Sequence, residues 1–182
     1  MQRIVLLFIT LFAVFAQALG HAVGVKEPFG MKCLWVFTLI DGDGNVKSRQ
    51  RCNLIVDDGF DALLMAMFSV GVGTRPDRFN FMAIGGGNTA PAANQNALVA
   101  EFTSIPSIDF YQRQATAITF TPGSKTVTVS SSFGPGVGIG NVVEAGLFND
   151  ASAGTMFNRV LIGAFNKGAL DTLNVDVVVS VL

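Results

Sequence analysis

The chain has 182 residues, of which half are hydrophobic and only 14% are charged, whereas an average soluble domain has about 25% charged residues. The formal net charge is −1, and no cluster of Lys or Arg stands out, which argues against a nucleic-acid-binding surface. The length fits one domain with a sizeable core. Because a surface this poor in charge would self-associate if left bare, we expect other subunits to cover part of it.

The N-terminus has the layout of a secretory signal. Arg3 precedes an apolar run at residues 4–16, and Ala18 ends a small-residue cleavage pattern. The alternatives are a retained membrane anchor, since the run is just short of a spanning helix, and a segment buried against neighbouring subunits. We therefore divide the chain into a signal-like or anchoring segment, residues 1–18, and a single domain, residues 19–182. Any membrane contact would be made through the first segment, if it is retained.

Two cysteines flank a strong turn signal, Asp41-Gly-Asp-Gly-Asn45. Strand patterns at residues 33–40 and 46–56 predict a hairpin around this turn. A two-residue turn at Gly42-Asp43 would place Cys33 directly opposite Cys52, close enough to bridge. We therefore predict a Cys33–Cys52 disulfide, which also suits an exported chain. The alternative is two buried free thiols.

The same turn resembles the opening of a calcium-binding loop, because Asp41, Asp43 and Asn45 alternate as the first ligands do. The rest of that loop is missing. Val46 stands where the glycine belongs, and Cys52 stands where the bidentate Glu belongs. Since Asp and Gly are also what a tight hairpin needs, we interpret the segment as a turn and predict no metal site.

One helix follows the hairpin. Apolar residues recur at helical spacing and form a stripe that we expect to pack on a sheet. The stripe consists of Phe60, Leu63, Leu64, Met67 and Phe68. Asp57 or Asp58 can cap the first turn, and Gly71 can end the helix.

A strand at residues 79–84 runs into Gly85-Gly-Gly87 and a loop that lasts to residue 94. A phosphate-binding loop would need a later Gly-Lys-Ser/Thr triplet, which the chain lacks. We interpret the glycines as a sharp exit from the strand, at positions that need unusual backbone angles.

From residue 108 onward the pattern is strand after strand, separated by turns. The predicted strands cover residues 108–121, 125–131, 141–148, 155–165 and 173–181. In the last of them Leu173, Val175, Val177, Val179 and Val181 share one apolar face. Many short strands with little helix predict a mainly β fold: an antiparallel, jelly-roll-like β-sandwich with one short amphipathic helix packed on it.

Few residues could run a reaction. His21, the one histidine, lies at the signal boundary, so a Ser/His/Asp or Cys/His site would lack its base, and zinc would have too few ligands. Carboxylates cluster within residues 57–61, where a helix N-terminus favours negative charge, and more loosely at Glu101 and Asp109. We predict that the chain is not an enzyme and has no catalytic residue, cofactor or metal.

Glu144 stands between apolar residues on one predicted strand, and Arg159 stands on the next. An acidic side chain in such surroundings needs a partner of opposite charge. We therefore predict a structural ion pair between Glu144 and Arg159.

Three blocks of sequence, in a fixed order, carry a resemblance. The first is Asn53-Leu-Ile-Val-Asp-Asp-Gly59. The second is Phe81-Met-Ala-Ile-Gly-Gly-Gly87-Asn-Thr-Ala-Pro91 with Ala97-Leu-Val-Ala-Glu101. The third is Val143-Glu-Ala-Gly-Leu-Phe-Asn149 with Gly154-Thr-Met-Phe-Asn-Arg159 and Asp171-Thr-Leu-Asn-Val-Asp-Val177. Together they resemble a group of tailed-bacteriophage structural proteins. The resemblance implies a β-rich virion component, such as a capsid decoration, neck, tail or fibre-base subunit, and it implies no catalytic residue.

The sequence thus favours a non-enzymatic structural subunit of a phage particle, located in the virion, whose partners are copies of itself and other virion proteins. An export-like N-terminus is unusual for such proteins, and it leaves room for the alternative of a secreted or cell-surface binding domain, such as an adhesin or glycan binder. That alternative needs an exposed aromatic platform. The mature chain has a single Trp, Trp35, a single Tyr, Tyr111, and many Phe residues, a composition that suits core packing better than sugar stacking.

Overall fold

Alternating apolar residues build two antiparallel sheets of five strands each, together with one short helix. The structure is a computed structural model that describes residues 30–68, 78–103 and 111–181, without the side chains of residues 65–68. The elements are β1 (Met31–Ile40), β2 (Val46–Cys52), β3 (Leu54–Ile55), α1 (Asp57–Phe68), β4 (Phe81–Gly85), β5 (Gln114–Ala115), β6 (Ala117–Phe120), β7 (Thr126–Phe133), β8 (Gly140–Phe148), β9 (Met156–Lys167) and β10 (Thr172–Val181).

The first sheet has the strand order β2-β1-β10-β7-β6, and the second has the order β3-β9-β8-β4-β5. Residues Lys32–Ser180 form one compact unit, which is the part described below. The prediction of a mainly β, antiparallel sandwich with one short helix is confirmed. The signal-like residues 1–18 lie outside the described residues.

The core side of the first sheet follows the period of two that the sequence shows. On β1 the buried residues are Cys33, Trp35, Phe37 and Leu39, and on β10 they are Leu173, Val175, Val177 and Val179. The apolar face predicted for the last strand is therefore confirmed up to Val179, whereas Val181 is exposed.

The middle of the second sheet is buried on both faces. Consecutive residues of β8 and β9 are buried, whichever way their side chains point, because a loop at residues 86–103 lies over the outer face. Leu98 of that loop packs in one cluster with Val56, Ala83, Phe148 and Met156. We call residues 86–103 the clamped loop.

Two long strands predicted from the sequence are each divided between the sheets. The predicted strand at residues 46–56 is split at Asn53, so that β2 pairs in the first sheet and β3 pairs with β9 in the second. The predicted strand at residues 108–121 becomes β5 in the second sheet and β6 in the first; residues 108–110 lie outside the described part. These crossings link the two layers.

Helix α1 contacts β9 at a glycine, and two residues of the predicted stripe face outward; Leu63 is partly buried, and the side chains of Met67 and Phe68 lie outside the description. Phe60 is 45% exposed and Leu64 is 50% exposed, whereas Ala62 is buried. A Cβ at Gly59 would overlap the carbonyl oxygen of Phe157 on β9, so the helix rests on the strand at a glycine. The predicted packing face is therefore wrong for Phe60 and Leu64, because the closest approach of the two backbones decides which face turns inward. The predicted helix end, Gly71, lies outside the described residues.

The first hairpin is shifted by one residue from its predicted register. Leu34 stands opposite Cys52, and the turn has three central residues, with Gly44 at a φ of 84°. Such a turn ends in a left-handed glycine. A one-residue shift moves every side chain to the other face of the strand, so that Cys33 is buried and Cys52 is exposed. Both are free thiols, and the predicted disulfide is wrong.

Candidate functional site

The predicted ion pair between Glu144 and Arg159 is confirmed and lies at the centre of the second sheet. Glu144 is on β8 and Arg159 is on β9, where Arg159 stands opposite Gly146, two residues along from Glu144. Arg159 Nε donates to Glu144 Oε2 at 2.7 Å, and neither side chain is exposed to solvent.

The Glu144 carboxylate also holds the clamped loop through three backbone N–H groups. Gly87 N donates to Oε1 at 3.1 Å, Ala100 N donates to Oε1 at 2.7 Å, and Val99 N donates to Oε2 at 3.1 Å. With the Arg159 bond, each oxygen accepts two hydrogen bonds. An ionised carboxylate only accepts hydrogen bonds, so this one has its usual complement and serves as an anchor.

Arg159 extends the same network into the loop. Its Nη1 donates to Gln95 Oε1 at 3.0 Å, and its Nη2 donates to the carbonyl oxygen of Thr89 at 2.9 Å. Gln95 Oε1 also accepts from the backbone N–H of Ala92 at 3.0 Å. A single guanidinium therefore joins the sheet to both ends of a turn in the clamped loop, using the fixed fork of donors that Arg provides.

Two of the three glycines, Gly85 and Gly87, stand where the clamped loop and the Glu144 carboxylate approach the backbone closely, and a Cβ at Gly85 would also overlap the carbonyl oxygen of Ala100. A Cβ at Gly87 would lie 2.5 Å from Glu144 Oε1, and one at Gly85 would lie 2.9 Å from the same oxygen. Neither residue is among those with positive φ. The prediction that these glycines meet unusual backbone angles is therefore wrong, because they allow close approach of the loop to the carboxylate.

A second ion pair fastens the far end of the clamped loop. Arg113 binds both oxygens of Glu101, with Nε to Oε1 and Nη2 to Oε2 each at 2.9 Å, and its guanidinium lies 3.7 Å from the centre of the Phe148 ring. The Tyr111 hydroxyl donates to Glu101 Oε1 at 3.1 Å and accepts from Ile84 N at 3.3 Å. Burial, assisted by the Glu101 charge, raises the pKa of Tyr111 well above its ordinary value.

Sequence reasoning missed this second pair. The sequence groups Glu101 loosely with Asp109, which lies outside the described residues. Arg113 sits in a polar stretch with no strand-neighbour signal, so nothing in the sequence pointed to Glu101 as its partner. Lys167 was also missed: it is fully buried at the end of β9, where Nζ donates to the carbonyl oxygen of Gly134 at 2.9 Å.

The calcium-like segment is a closed turn. Asp41 Oδ1 accepts from the backbone N–H groups of Asn45 at 2.8 Å and Asp43 at 3.1 Å, and the Asn45 side-chain amide donates to both carboxylate oxygens. The bond from the Asn45 amide, followed by that from its backbone, lowers the pKa of Asp41 below 3.8. In the described part of the chain, no three His, Cys, Asp or Glu residues are grouped to hold a metal ion.

The remaining candidates lie apart from this network. Asp57, Asp58 and Asp61 are exposed in the first turns of α1, and His21 lies outside the described residues. Among residues 30–68, 78–103 and 111–181, no helix has both the length and the apolar content to cross a bilayer.

The arrangement is one of structural anchoring. Two acidic residues on the loop and sheet, each bound by an arginine, hold the clamped loop over β4, β8 and β9. No family model, curated protein or solved structure matches the chain.

Proposed function

We propose that the chain is a non-enzymatic structural subunit of a tailed-phage particle that acts through oligomeric packing. The observation that carries the proposal is the meeting of the three sequence blocks. Gly87 and Ala100 come from the second block, and Glu144 and Arg159 come from the third; all four share one buried network.

The first block joins the same assembly of contacts. The backbone N–H of Asp57 donates to the carbonyl oxygen of Ala93 in the clamped loop at 2.9 Å, and Gly59 rests against Phe157 on β9. Residues from all three blocks thus meet around the second sheet, whereas the Asp171–Val177 part of the third block lies mainly on β10 of the first sheet. This supports the interpretation that the three blocks encode a fold that the chain shares with phage structural proteins.

The chemistry of the network supports a passive role. Glu144 and Arg159 are fully buried, and their polar atoms are occupied by backbone and amide groups of the same chain. Groups that are already bound in this way stabilise a fold; a general acid or base must instead reach a substrate within hydrogen-bonding distance.

The test is assembly of the full chain and its place in a particle. Purified full-length protein should form discrete oligomers or lattices in light scattering and negative-stain electron microscopy. Antibodies against it should label intact phage particles recovered from the source strain. A monodisperse monomer at high concentration, together with labelling of the cell surface and not of particles, would overturn the proposal.

Such an outcome would favour the secreted or surface binding domain. A glycan-binding domain would need exposed aromatic rings. Trp35 and Tyr111 do not supply them, because Trp35 is fully buried and Tyr111 is only 7% exposed. Large exposed apolar side chains are found instead at Phe60 on α1 and Phe120 on β6, which suits contact with another protein subunit.

A further inference from the structure

Within the part of the chain that the structure describes, the first sheet ends at β2 on one side and at β6 on the other. An edge strand presents unpaired backbone N–H and C=O groups that can pair with another chain. Natural proteins block such pairing with charged side chains, proline, bulges or very short strands. The two edges of this sheet differ sharply in these devices.

The β2 edge is guarded by charge. Lys47, Arg49 and Arg51 occupy alternate positions on one face of the strand, so self-pairing would bring like charges together. Arg49 is further engaged within its own chain, where Nη1 donates to the carbonyl oxygen of Ala164 at 2.9 Å and the guanidinium lies 4.4 Å from the centre of the Phe165 ring. This edge is therefore closed to a second copy.

The β6 edge has only one of these devices, its short length of four residues. Its sequence, Ala117-Ile-Thr-Phe120, contains no charge and no proline, and it pairs with β7 in an unbroken register. All four residues are exposed, with Phe120 at 63% and Ile118 at 44%. Because it carries no charge, this is the less protected of the two edges.

The exposed side chains of β6 belong to the core side of the sheet. Ile118 stands opposite Val129, which is buried, and Phe120 stands opposite Val127. The apolar core face of the first sheet thus continues onto β6, where Ile118 and Phe120 are exposed to solvent. A further strand paired with β6 would satisfy its outer backbone groups and place new apolar side chains beside Ile118 and Phe120.

We infer that β6 pairs with β6 of a second copy of this chain, antiparallel, about a two-fold axis perpendicular to the sheet. The inference rests on the proposed function and names the edge through which the subunit packs. A second copy fits because the strand is uncharged, so self-pairing brings no like charges together. Because the axis is perpendicular to the sheet, the core faces of the first sheets of the two copies point in the same direction.

The register follows from the alternation of side chains. With this axis, paired residues must point to the same face, so a residue pairs with one that is an even number of positions away. Centring the axis on Thr119 places Thr119 opposite the partner's Thr119. Ile118 then stands opposite the partner's Phe120, an aromatic and β-branched pair of the kind that stabilises sheets. Two five-stranded sheets would become one continuous sheet.

Cysteine cross-linking tests the register directly. In a full-length Cys52→Ser background, Thr119→Cys should form a disulfide-linked dimer under mild oxidation, because residues directly opposite in an antiparallel pair have Cα atoms about 4.5–5.5 Å apart, within disulfide range. Ser48→Cys is the matched control: it is an exposed residue on the opposite edge and should not cross-link. Cross-linking of Ser48→Cys but not Thr119→Cys would overturn the inference.

Charge insertion gives a second, independent test. Phe120→Lys and Ile118→Lys, tested as single variants, replace exposed residues, so the fold should persist. Dimerisation in sedimentation experiments should weaken at least about tenfold, because each new ammonium group would be placed against an apolar side chain of the partner strand. Gln50→Lys on the β2 edge should change nothing. If the wild type assembles and Phe120→Lys assembles equally well, the edge is wrong while the proposed function stands. A wild-type monomer would overturn both.

Discussion

At the scale of single residues, Glu144 shows what burial demands of a charge. Its carboxylate is removed from water, and it is stabilised by Arg159 and by three backbone N–H groups. A buried pair of this kind adds less to stability than its attraction suggests, since both ions lose hydration. Removing one partner is costly, however, because the other charge is left buried and unpaired.

Replacing Glu144 or Arg159 by Ala is therefore expected to lower the free energy of unfolding by about 3–5 kcal/mol, measured by chemical denaturation. Glu144→Gln should also destabilise the protein. Its NH₂ group is a donor and would replace one of the two carboxylate oxygens, which together accept four hydrogen bonds. Lys47→Ala, at an exposed position, is the control and should stay within about 0.5 kcal/mol of the wild type. Equal stability of the Glu144→Ala, Arg159→Ala and wild-type proteins would contradict the burial of the pair.

The two cysteines differ in environment although they lie close in the hairpin. Cys33 faces the core, and burial raises the pKa of its thiol to about 11. Cys52 faces outward and is exposed. Since the thiolate is the reactive form, the two thiols should react at very different rates.

We expect iodoacetamide at pH 8 to label one thiol per native chain, at Cys52, and a second, at Cys33, after unfolding without a reducing agent. The Cys52→Ser variant should lose native labelling. Mass spectrometry of the intact chain counts the labels. If no label enters the unfolded, unreduced chain, a disulfide is present and the register of the hairpin must be revised.

At the scale of elements, the clamped loop depends on how closely its backbone approaches the second sheet. Gly85 and Gly87 leave room for the Glu144 carboxylate, and the loop then runs beside β4, where Gly86 N donates to the carbonyl oxygen of Ala100 at 2.9 Å and Phe102 N donates to that of Ile84 at 3.1 Å. The loop thus acts as an additional layer of the sandwich, and it is held by the Glu144 carboxylate and, at its far end, by the Glu101–Arg113 pair.

Gly87→Ala should destabilise the protein by about 1–3 kcal/mol, the usual cost of extra volume in a packed interior, because its Cβ would lie 2.5 Å from Glu144 Oε1. Gly86→Ala is the matched control. A Cβ there would lie 3.5 Å from Phe102 Cε1, an ordinary contact, so this variant should be close to neutral. Thermal unfolding of the two variants gives the comparison, and equal losses would contradict a specific role for the contact between Gly87 and the Glu144 carboxylate.

At the scale of the whole molecule, some of the few charged side chains form ion pairs within the chain. Both ion pairs found within the described residues hold the clamped loop to the second sheet. Exposed apolar side chains occur on α1 and β6. Association of copies should therefore depend on backbone pairing and apolar burial more than on ionic contacts.

Assembly of the full chain is accordingly expected to persist as sodium chloride is raised from about 0.15 M to about 1 M, where surface charges are screened within about 3 Å. Light scattering at both concentrations measures it. Dissociation of the oligomer at high salt would point to ionic contacts, such as those of the basic β2 edge, and would contradict pairing through β6.

The sequence by itself determined the features that depend on local patterning. The alternation on the last strand, with Leu173, Val175, Val177 and Val179 on one face, predicted the core because a strand repeats every two residues. The isolated charges Glu144 and Arg159, each on an apolar strand, predicted their pair because a buried charge requires a partner. Both predictions needed only neighbours in sequence and a general physical rule.

Tertiary structure decided everything that depends on a single residue of register or on a distant contact. One added residue in the turn moved Cys52 to the outer face, because side chains alternate strictly along a strand. The close approach of Gly59 on α1 to Phe157 leaves Phe60 and Leu64 of the predicted stripe exposed. Gly87 is needed because it packs against the carboxylate of Glu144, which is 57 residues away along the chain. A pattern of neighbouring residues cannot predict a contact between positions so far apart in sequence.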